Sequence, residues 1–284
     1  MRAGTVVAVA IDLSDPWIEN RPTRVGVVAL RELWPYRELV YFLALRDLKA
    51  RYKQAFFGIS WAIIQPVAGV TVFTIVFRKL ASISSGGIPY LAFAFLGLLV
   101  WTYFAASVNA ATTSLVANAA LVTKVYFPRI AAPVAALVPG LAEFAIGLVL
   151  LAAIMVHYRI VPGWAAVTLP AWLLAAMIVA LGAGLLVASL NVKYRDVGAV
   201  MPVLVQLWLL ATPVAYPSSL VHGGWRWVYA LNPMAAVVDG FRWSLLGAEA
   251  PGTEALVSVA AAIALLAFGL LYFLRTEWKF ADVI

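Results

Sequence analysis

The sequence contains no cysteine among its 284 residues, and its only histidines are His157 and His222. Without cysteine, neither a disulfide framework nor a thiolate metal site can form, and no redox compartment is indicated. The two histidines are far apart in the sequence and have no cluster of acids nearby, which argues against a metal centre or a catalytic triad. No glycine is followed by lysine, so the P-loop pattern G-x-x-x-x-G-K-[ST] cannot occur and any ATP hydrolysis must come from a partner.

Charge is also scarce. Charged residues make up 12% of the sequence and apolar residues 64%, with a mean hydropathy of +0.96, which leaves too little polar surface for a soluble globule of this size. Charge-free runs cover residues 54–77, 80–123, 160–192 and 255–274, and each reaches the roughly 20 residues that a membrane-spanning helix needs. The composition therefore predicts an integral membrane protein.

Turn-like clusters divide the apolar sequence into six predicted spans, so the expected fold class is all-α. The spans are residues 56–77, 89–117, 131–156, 164–190, 198–216 and 254–274. We interpret residues 26–284 as a single transmembrane domain and residues 1–25 as a flexible tail.

The distribution of positive charge predicts the orientation. With a cytoplasmic N-terminus, thirteen Lys and Arg residues from Arg24 onward lie inside, and five lie on the other side, namely Arg78, Lys79, Arg159, Arg226 and Arg242. This bias favours both termini in the cytoplasm. We interpret the net charge of +7 as a signal for orientation rather than for nucleic-acid binding.

Two segments are predicted to be helical without crossing the membrane. Residues 30–53 carry an apolar stripe, which includes Leu39 and Leu43, opposite a charged face, and such a helix is expected to lie in the membrane surface with its apolar side down. Residues 217–247 are rich in aromatic side chains but too short and polar for two ordinary spans. They are expected to form two short helices that dip into the membrane and turn back at Asn232-Pro233.

Candidate functional residues inside the spans are few. Glu143 is the one acid predicted deep in a span, and it acts either as a gate or proton relay or as a hydrogen-bonding group that fixes helix packing. Polar Gln65 and Gln206 are expected to face protein or a cavity. Aromatic residues either form interface belts or line a passage for sugars, and the candidates for the passage are Trp61, Tyr103, Trp208, Tyr216, Trp225 and Trp227.

Two connections predicted to be cytoplasmic carry positive charge. Residues 118–129 (NAALVTKVYFPR) are long enough for a short helix presented to a soluble partner, and residues 193–196 (KYRD) are brief and charged. The alternative for both connections is simple anchoring of the topology by positive charge.

Five stretches in a fixed order resemble a known family. They are RDLKARYKQAFFGISWAIIQP, NAALVTKVYFPR, NVKYRDVGAVMP, ATPVAYP and LNPMAAVVDGFRWSLLG, followed by a last apolar span and a short charged tail. Together they are similar to the transmembrane subunit of bacterial ABC-2 type polysaccharide exporters, which move lipid-linked O-antigen, teichoic acid, capsule or galactan chains. The resemblance runs from about Leu30 to the end. Thr212 stands where the family often has serine, and the first 25 residues match nothing.

The resemblance implies a homodimer of six-span subunits in the bacterial inner membrane, with a channel between them. It also implies two cytoplasmic ATPase subunits that bind ATP and Mg²⁺, so that this chain carries no cofactor. Residues 30–53 would form an interface helix, residues 118–129 a coupling helix, and residues 221–246 a re-entrant pair. The implied coupling residues are Arg46, Lys49, Arg51, Lys53, Lys124, Tyr126, Phe127, Arg129, Arg195 and Asp196, and the gate or packing residues are Glu143, Asn232, Pro233 and Arg242.

Two other functions stay open at this point. An ABC-2 permease for a small drug or lipid would share the fold, so the fold does not separate it from a polysaccharide exporter. A secondary transporter or a membrane-embedded glycosyltransferase would need clustered intramembrane acids or a carboxylate-rich surface site, and only Glu143 is deep in a span.

Overall fold

The computed structural model describes residues 33–53, 60–80, 85–124 and 127–283 of the chain. Within these ranges every regular element is a helix, which confirms the all-α fold class. The helices are α1 (Arg37–Lys53), α2 (Trp61–Phe73), α3 (Tyr90–Ala117), α4 (Ala119–Lys124), α5 (Ala131–His157), α6 (Leu169–Lys193), α7 (Val197–Leu210), α8 (Trp225–Ala230), α9 (Pro233–Leu246), α10 (Ala255–Thr276) and α11 (Phe280–Val283). A π-helix at Thr74–Leu80 continues α2, and 3-10 turns lie at Trp34–Tyr36, Trp164–Thr168, Ser218–Leu220 and Glu277–Lys279.

Four helical stretches of the described residues are long and apolar enough to cross a membrane. They are Tyr90–Ala117, Ala131–His157, Trp164–Lys193 and Ala255–Lys279. Each begins within one residue of a predicted span and extends at most a few residues beyond it, because Pro, Gly and charged clusters mark the ends. A count of six spans stays a prediction, since α2 is continued by a π-helix and α7 has only 14 residues.

The fifth predicted span, residues 198–216, is shorter in the structure than in the prediction. Its helix α7 ends at Leu210. Pro213 has no backbone N–H to continue the helical hydrogen bonds, and its ring disfavours helical backbone at the residue before it. With 14 residues at about 1.5 Å each, α7 is about 21 Å long. Residues 211–216 follow it as irregular backbone.

Helix α3 lies at the centre of the bundle, in contact with α2, α5, α6, α7 and α9. The largest hydrophobic core surrounds it and includes Phe95, Phe104, Val179 and Phe241. Small residues allow α6 and α10 to pack backbone to backbone, because a Cβ atom on Gly182 would lie 2.7 Å from the main-chain nitrogen of Leu266. Such small-residue contacts are typical of helix packing in membranes.

Helix α1 packs along α5, while its predicted position in the membrane surface stays a prediction. Leu43 and Ala44 bury against Ala135, and about two turns further along both helices Arg51 is bonded to Glu143. The contacts advance together along both helices, so α1 follows a candidate span over about 10 Å. The contact at Ala135 and the ion pair at Glu143 align α1 with α5. The apolar stripe of α1 therefore packs against protein.

Candidate functional site

The irregular residues 211–216, which we call the broken segment, are a structural problem for a membrane protein. Backbone outside a helix leaves N–H and C=O groups without intrahelical partners, and at membrane depth this is tolerated only where protein or a watery cavity satisfies them. The side chains of Asn232 and Arg242, both from the later residues 221–246, bond the main chain of the broken segment. We call these two residues the clamp.

Asn232 joins the start of α9 to the end of α7. Its Oδ1 accepts hydrogen bonds from the Met234 main-chain nitrogen at 3.1 Å, which caps α9, and from the Trp208 indole nitrogen at 3.0 Å. Its Nδ2 donates to the Ala211 carbonyl at 3.1 Å and to the Thr212 hydroxyl at 2.9 Å. One amide side chain thus closes the break after α7, and Thr212 supplies the hydroxyl that serine offers in the resembling family.

Arg242 holds the next turn of the broken segment. It is 1% exposed, and its guanidinium donates to the carbonyls of Pro213 at 2.5 Å and Val214 at 2.7 Å. Asp239 lies 3.5 Å from the same guanidinium, which also stacks 3.5 Å from the centre of the Phe93 ring. The sequence analysis counts Arg242 among the charges outside the cytoplasm and among the gate or packing residues, and its burial against these carbonyls supports a packing role.

Helix α3 packs directly against the clamp and the broken segment. A Cβ atom on Gly97 would lie 2.8 Å from Arg242 Nη2 and 2.8 Å from the Val214 carbonyl oxygen, so glycine is the residue that fits there. The Tyr90 hydroxyl donates to the Ala215 carbonyl at 2.8 Å, and the Ser258 hydroxyl of α10 donates to the Ala230 carbonyl at 2.7 Å. The break and the turn after α8 are therefore bonded from α3, α9 and α10.

The predicted channel-lining residues do not share one surface of the chain. Tyr103 is 2% exposed and packs on Phe144 with ring centres 5.8 Å apart, so it belongs to the core and not to an open wall. Trp208 is half-buried and packs edge-on against Phe104 at 5.0 Å. Tyr216 is half-buried and accepts a hydrogen bond from the Tyr229 hydroxyl at 3.0 Å.

The remaining channel candidates are exposed where they are described. Trp225 and Trp227 are 73% and 53% exposed, and Gln65 and Gln206 are also exposed. The side chain of Trp61 lies outside the described residues. Around Gln206, α7 exposes a continuous apolar face, formed by Val200, Val203, Leu204, Leu207 and Leu210.

A cleft of about 540 Å³ lies beside the clamp, between residues 85–88, α9 and residues 248–254. Its lining includes Arg242, Asp239, Tyr229 and the hydroxyl groups of Ser218 and Ser219. At its edge Arg226 pairs with Glu254 at 3.4 Å. The mixture of hydroxyl groups and charges can hydrogen-bond a polar, hydroxyl-rich ligand.

The opposite set of connections forms what we call the coupling end, which comprises residues 118–129, 193–196 and 277–283. A second hydrophobic cluster joins them through Val122, Phe127, Val192 and Phe280. Lys124, Arg195 and Asp196 are exposed, in keeping with their predicted access to a partner. Phe127 is 4% exposed and belongs to this cluster, so it is not presented to a partner, while Tyr126 lies outside the described residues.

Arg129 and Glu143 have partners that the sequence does not indicate. The Arg129 main-chain nitrogen donates to Glu277 Oε1 at 3.1 Å, and the Arg129 guanidinium donates to the Glu277 carbonyl. Glu143 pairs with Arg51 at 2.6 Å, which supports the packing alternative for this acid, while its role as a gate stays a prediction. On the same helix Arg46 pairs with its neighbour Asp47 at 2.7 Å, Lys49 is exposed, and the side chain of Lys53 lies outside the described residues.

The sequence prediction missed Gly97, Ser258 and Glu277. Each acts on a segment at least 28 positions away in the chain, so no local spacing indicates its role. Asn232-Pro233 was the one detectable signal, because asparagine before proline is typical of a helix start, and Pro233 is indeed the first residue of α9.

Known proteins resemble this chain over most of its length. The ABC-2 type transporter family matches residues 38–246. The O-antigen export system permease protein RfbA of Myxococcus xanthus is 31% identical over 234 residues, which cover 82% of this chain and 89% of that protein. A protein of the same name from Klebsiella pneumoniae is 23% identical over 249 residues, covering 87% of this chain and 95% of the relative.

These matches include α1, the candidate spans α3, α5 and α6, the broken segment and the clamp. The family match ends at Leu246, the last residue of α9. The chain therefore belongs to the ABC-2 type transporter family, as a multi-pass membrane permease.

Proposed function

We propose that this chain is the permease subunit of an ATP-driven exporter of lipid-linked polysaccharide. It would act as a homodimer with two cytoplasmic ABC ATPase subunits in a bacterial inner membrane, with both termini in the cytoplasm. The observation that carries this proposal is the 31% identity to an O-antigen export permease over 89% of that protein. Homology over nearly the full length supports a common class of substrate.

The sequence and the family support ATP hydrolysis by a partner as the energy source. A chain without a P-loop cannot bind a nucleotide in that way, and the ABC-2 family implies an ATPase partner. The exposed residues Lys124, Arg195 and Asp196 gather at the coupling end and would meet that partner. ATP-driven closure of two ATPase subunits would then move the coupling end and α1 as rigid bodies.

The passage would lie between two copies of the chain. A polymer cannot be enclosed in a pocket of one subunit, so it needs a continuous path. The exposed apolar face of α7, with Gln206 within it, and the exposed Gln65 of α2 are surfaces of the kind that a second copy or a substrate covers. The hydroxyl-rich cleft beside the clamp suits a sugar polymer better than an apolar drug.

Deletion of the gene in its own host tests the proposal. We expect loss of polysaccharide from the cell surface and accumulation of the lipid-linked polymer inside, both restored when the gene is supplied again. Unchanged surface polysaccharide with increased drug sensitivity would instead identify a small-molecule permease. Export by the purified chain without any ATPase would identify a secondary transporter.

A further inference from the structure

The last residues of the described chain fold back onto the connection between α3 and α5. After α10 the chain forms a 3-10 turn at Glu277–Lys279 and then α11. Glu277 accepts the Arg129 main-chain N–H through its carboxylate, and its own carbonyl accepts the Arg129 guanidinium. Arg129 and Glu277 each contribute one main-chain atom and one side-chain atom to these two bonds. The two bonds fix their relative position more tightly than a single ion pair would.

A hydrophobic contact accompanies these bonds. Phe280 is 2% exposed, and its ring centre lies 5.2 Å from that of Phe273 on α10. The same cluster contains Val122 of α4, Phe127 of the connection and Ile130 at the start of α5. The segment 277–283 therefore links α10, α4 and the start of α5 in one packed unit.

Helix α4 needs such support. It has only six residues, and a helix this short is not stable without tertiary contacts. Its exposed Lys124 lies at the predicted surface for the ATPase, so α4 has to hold its position while a partner pushes on it. Helix α4 contacts α3 and the C-terminal segment, and its Leu121 also packs against Leu43, Ala44 and Ala135 of α1 and α5.

We propose that residues 277–283 form a brace that positions the coupling connection, residues 118–129, and that Glu277 is its positioning residue. This inference rests on the proposed function, because it assigns the brace to the transfer of ATPase motion. With the brace in place, a displacement of α4 is passed directly to α10 and α5. Without the brace, α4 would move without displacing α10 and α5, and less polymer would be exported for each ATP hydrolysed.

The test uses the complete permease with its ABC ATPase in lipid nanodiscs. Glu277→Ala removes the acceptor for the Arg129 N–H, whereas Glu277→Gln keeps an oxygen at that place. We expect Glu277→Ala to weaken ATPase binding about tenfold and to lower the polymer exported per ATP, and Glu277→Gln to restore most of both. Glu249→Gln, an exposed carboxylate in the loop after α9, is the charge-matched control for ATPase binding only, and its affinity for the ATPase should equal that of wild type.

A second measurement separates positioning from general stability. Hydrogen–deuterium exchange in the permease alone should become faster at Ala119–Lys124 in Glu277→Gln and faster still in Glu277→Ala, with the melting temperature of the permease nearly unchanged. Equal exchange in all variants, or wild-type binding and export per ATP in Glu277→Ala, would overturn the brace. If wild-type permease binds no ABC ATPase, the proposed function fails, while the exchange experiment still tests the brace.

Discussion

Arginine side chains bond the clamp, the contact between α1 and α5, and the coupling end, but these arginines differ in burial and in the groups they bond. Arg242 is buried and donates to main-chain carbonyls of the broken segment. Arg51 is about one-third exposed and bonds a carboxylate that is itself one-quarter exposed. Arg129 is half-buried, and its contacts are with another segment of the coupling end.

This difference separates a fixed part of the bundle from parts that are free to adjust. Removing a buried donor leaves its acceptors without partners and costs their full desolvation, whereas exposed pairs contribute little because water replaces them. The clamp therefore fixes the path of the chain at the broken segment. The segments of the coupling end are bonded mainly to one another, so the coupling end is suited to shift as one unit when a partner moves.

The largest effect is expected from Arg242→Met, which removes the donors to Pro213 and Val214 but keeps apolar volume. We expect a loss of about 3–5 kcal/mol in the free energy of unfolding, because a buried charge network is broken from one side. Arg242→Lys should recover only part of this, since an ammonium group cannot reproduce the planar fork of donors. Thermal unfolding of the purified protein in detergent measures both.

Arg226→Met is the control for that comparison. Its ion pair with Glu254 is half-exposed, so we expect a change below about 1 kcal/mol. A similar melting temperature for Arg242→Met and Arg226→Met would contradict the division into a fixed clamp and adjustable contacts.

Gly97→Ala should have the next largest effect. The added methyl group would press on the Arg242 guanidinium and on the Val214 carbonyl, both at 2.8 Å, and relieving such overpacking costs about 1–3 kcal/mol. Gly163→Ala is the matched control, since no atom outside its own neighbourhood lies within 4 Å of its Cβ position. If both alanine variants melt at the same temperature, close packing of α3 against the clamp does not contribute to stability.

The sequence predicted the four long helices well because hydropathy and breaker residues act locally. The sequence prediction failed for side chains whose hydrogen-bond partners are distant in the chain. The carbonyls that draw Arg242 inside lie 28 and 29 positions earlier, and Glu277 lies 148 positions from Arg129. The end of α7 was detectable from Pro213, but the hydropathy of the following residues favoured a longer span.

Asn232 allows a smaller and more selective perturbation of the clamp. Asn232→Asp keeps an oxygen for the Met234 N–H and the Trp208 indole but removes the donations to Ala211 and Thr212. We expect a loss of about 1–2 kcal/mol for Asn232→Ala, as for the removal of a helix cap, and less for Asn232→Asp. Melting temperatures rank the two variants, and equal losses would mean that the donations to Ala211 and Thr212, which both variants remove, matter more than the cap.

The smallest effect is expected at the Arg51–Glu143 pair, where a double-mutant cycle isolates the interaction. Arg51→Gln, Glu143→Gln and the double variant should give a coupling energy of about 0.5–1 kcal/mol, because both groups are partly exposed. The cycle of Arg46→Gln and Asp47→Asn on the same helix is the control, and its coupling should be near zero since neighbouring side chains need no fold to meet. A coupling energy of several kcal/mol between Arg51 and Glu143 would place α1 with the clamp among the fixed parts. It would then exclude α1 as an element that moves relative to α5.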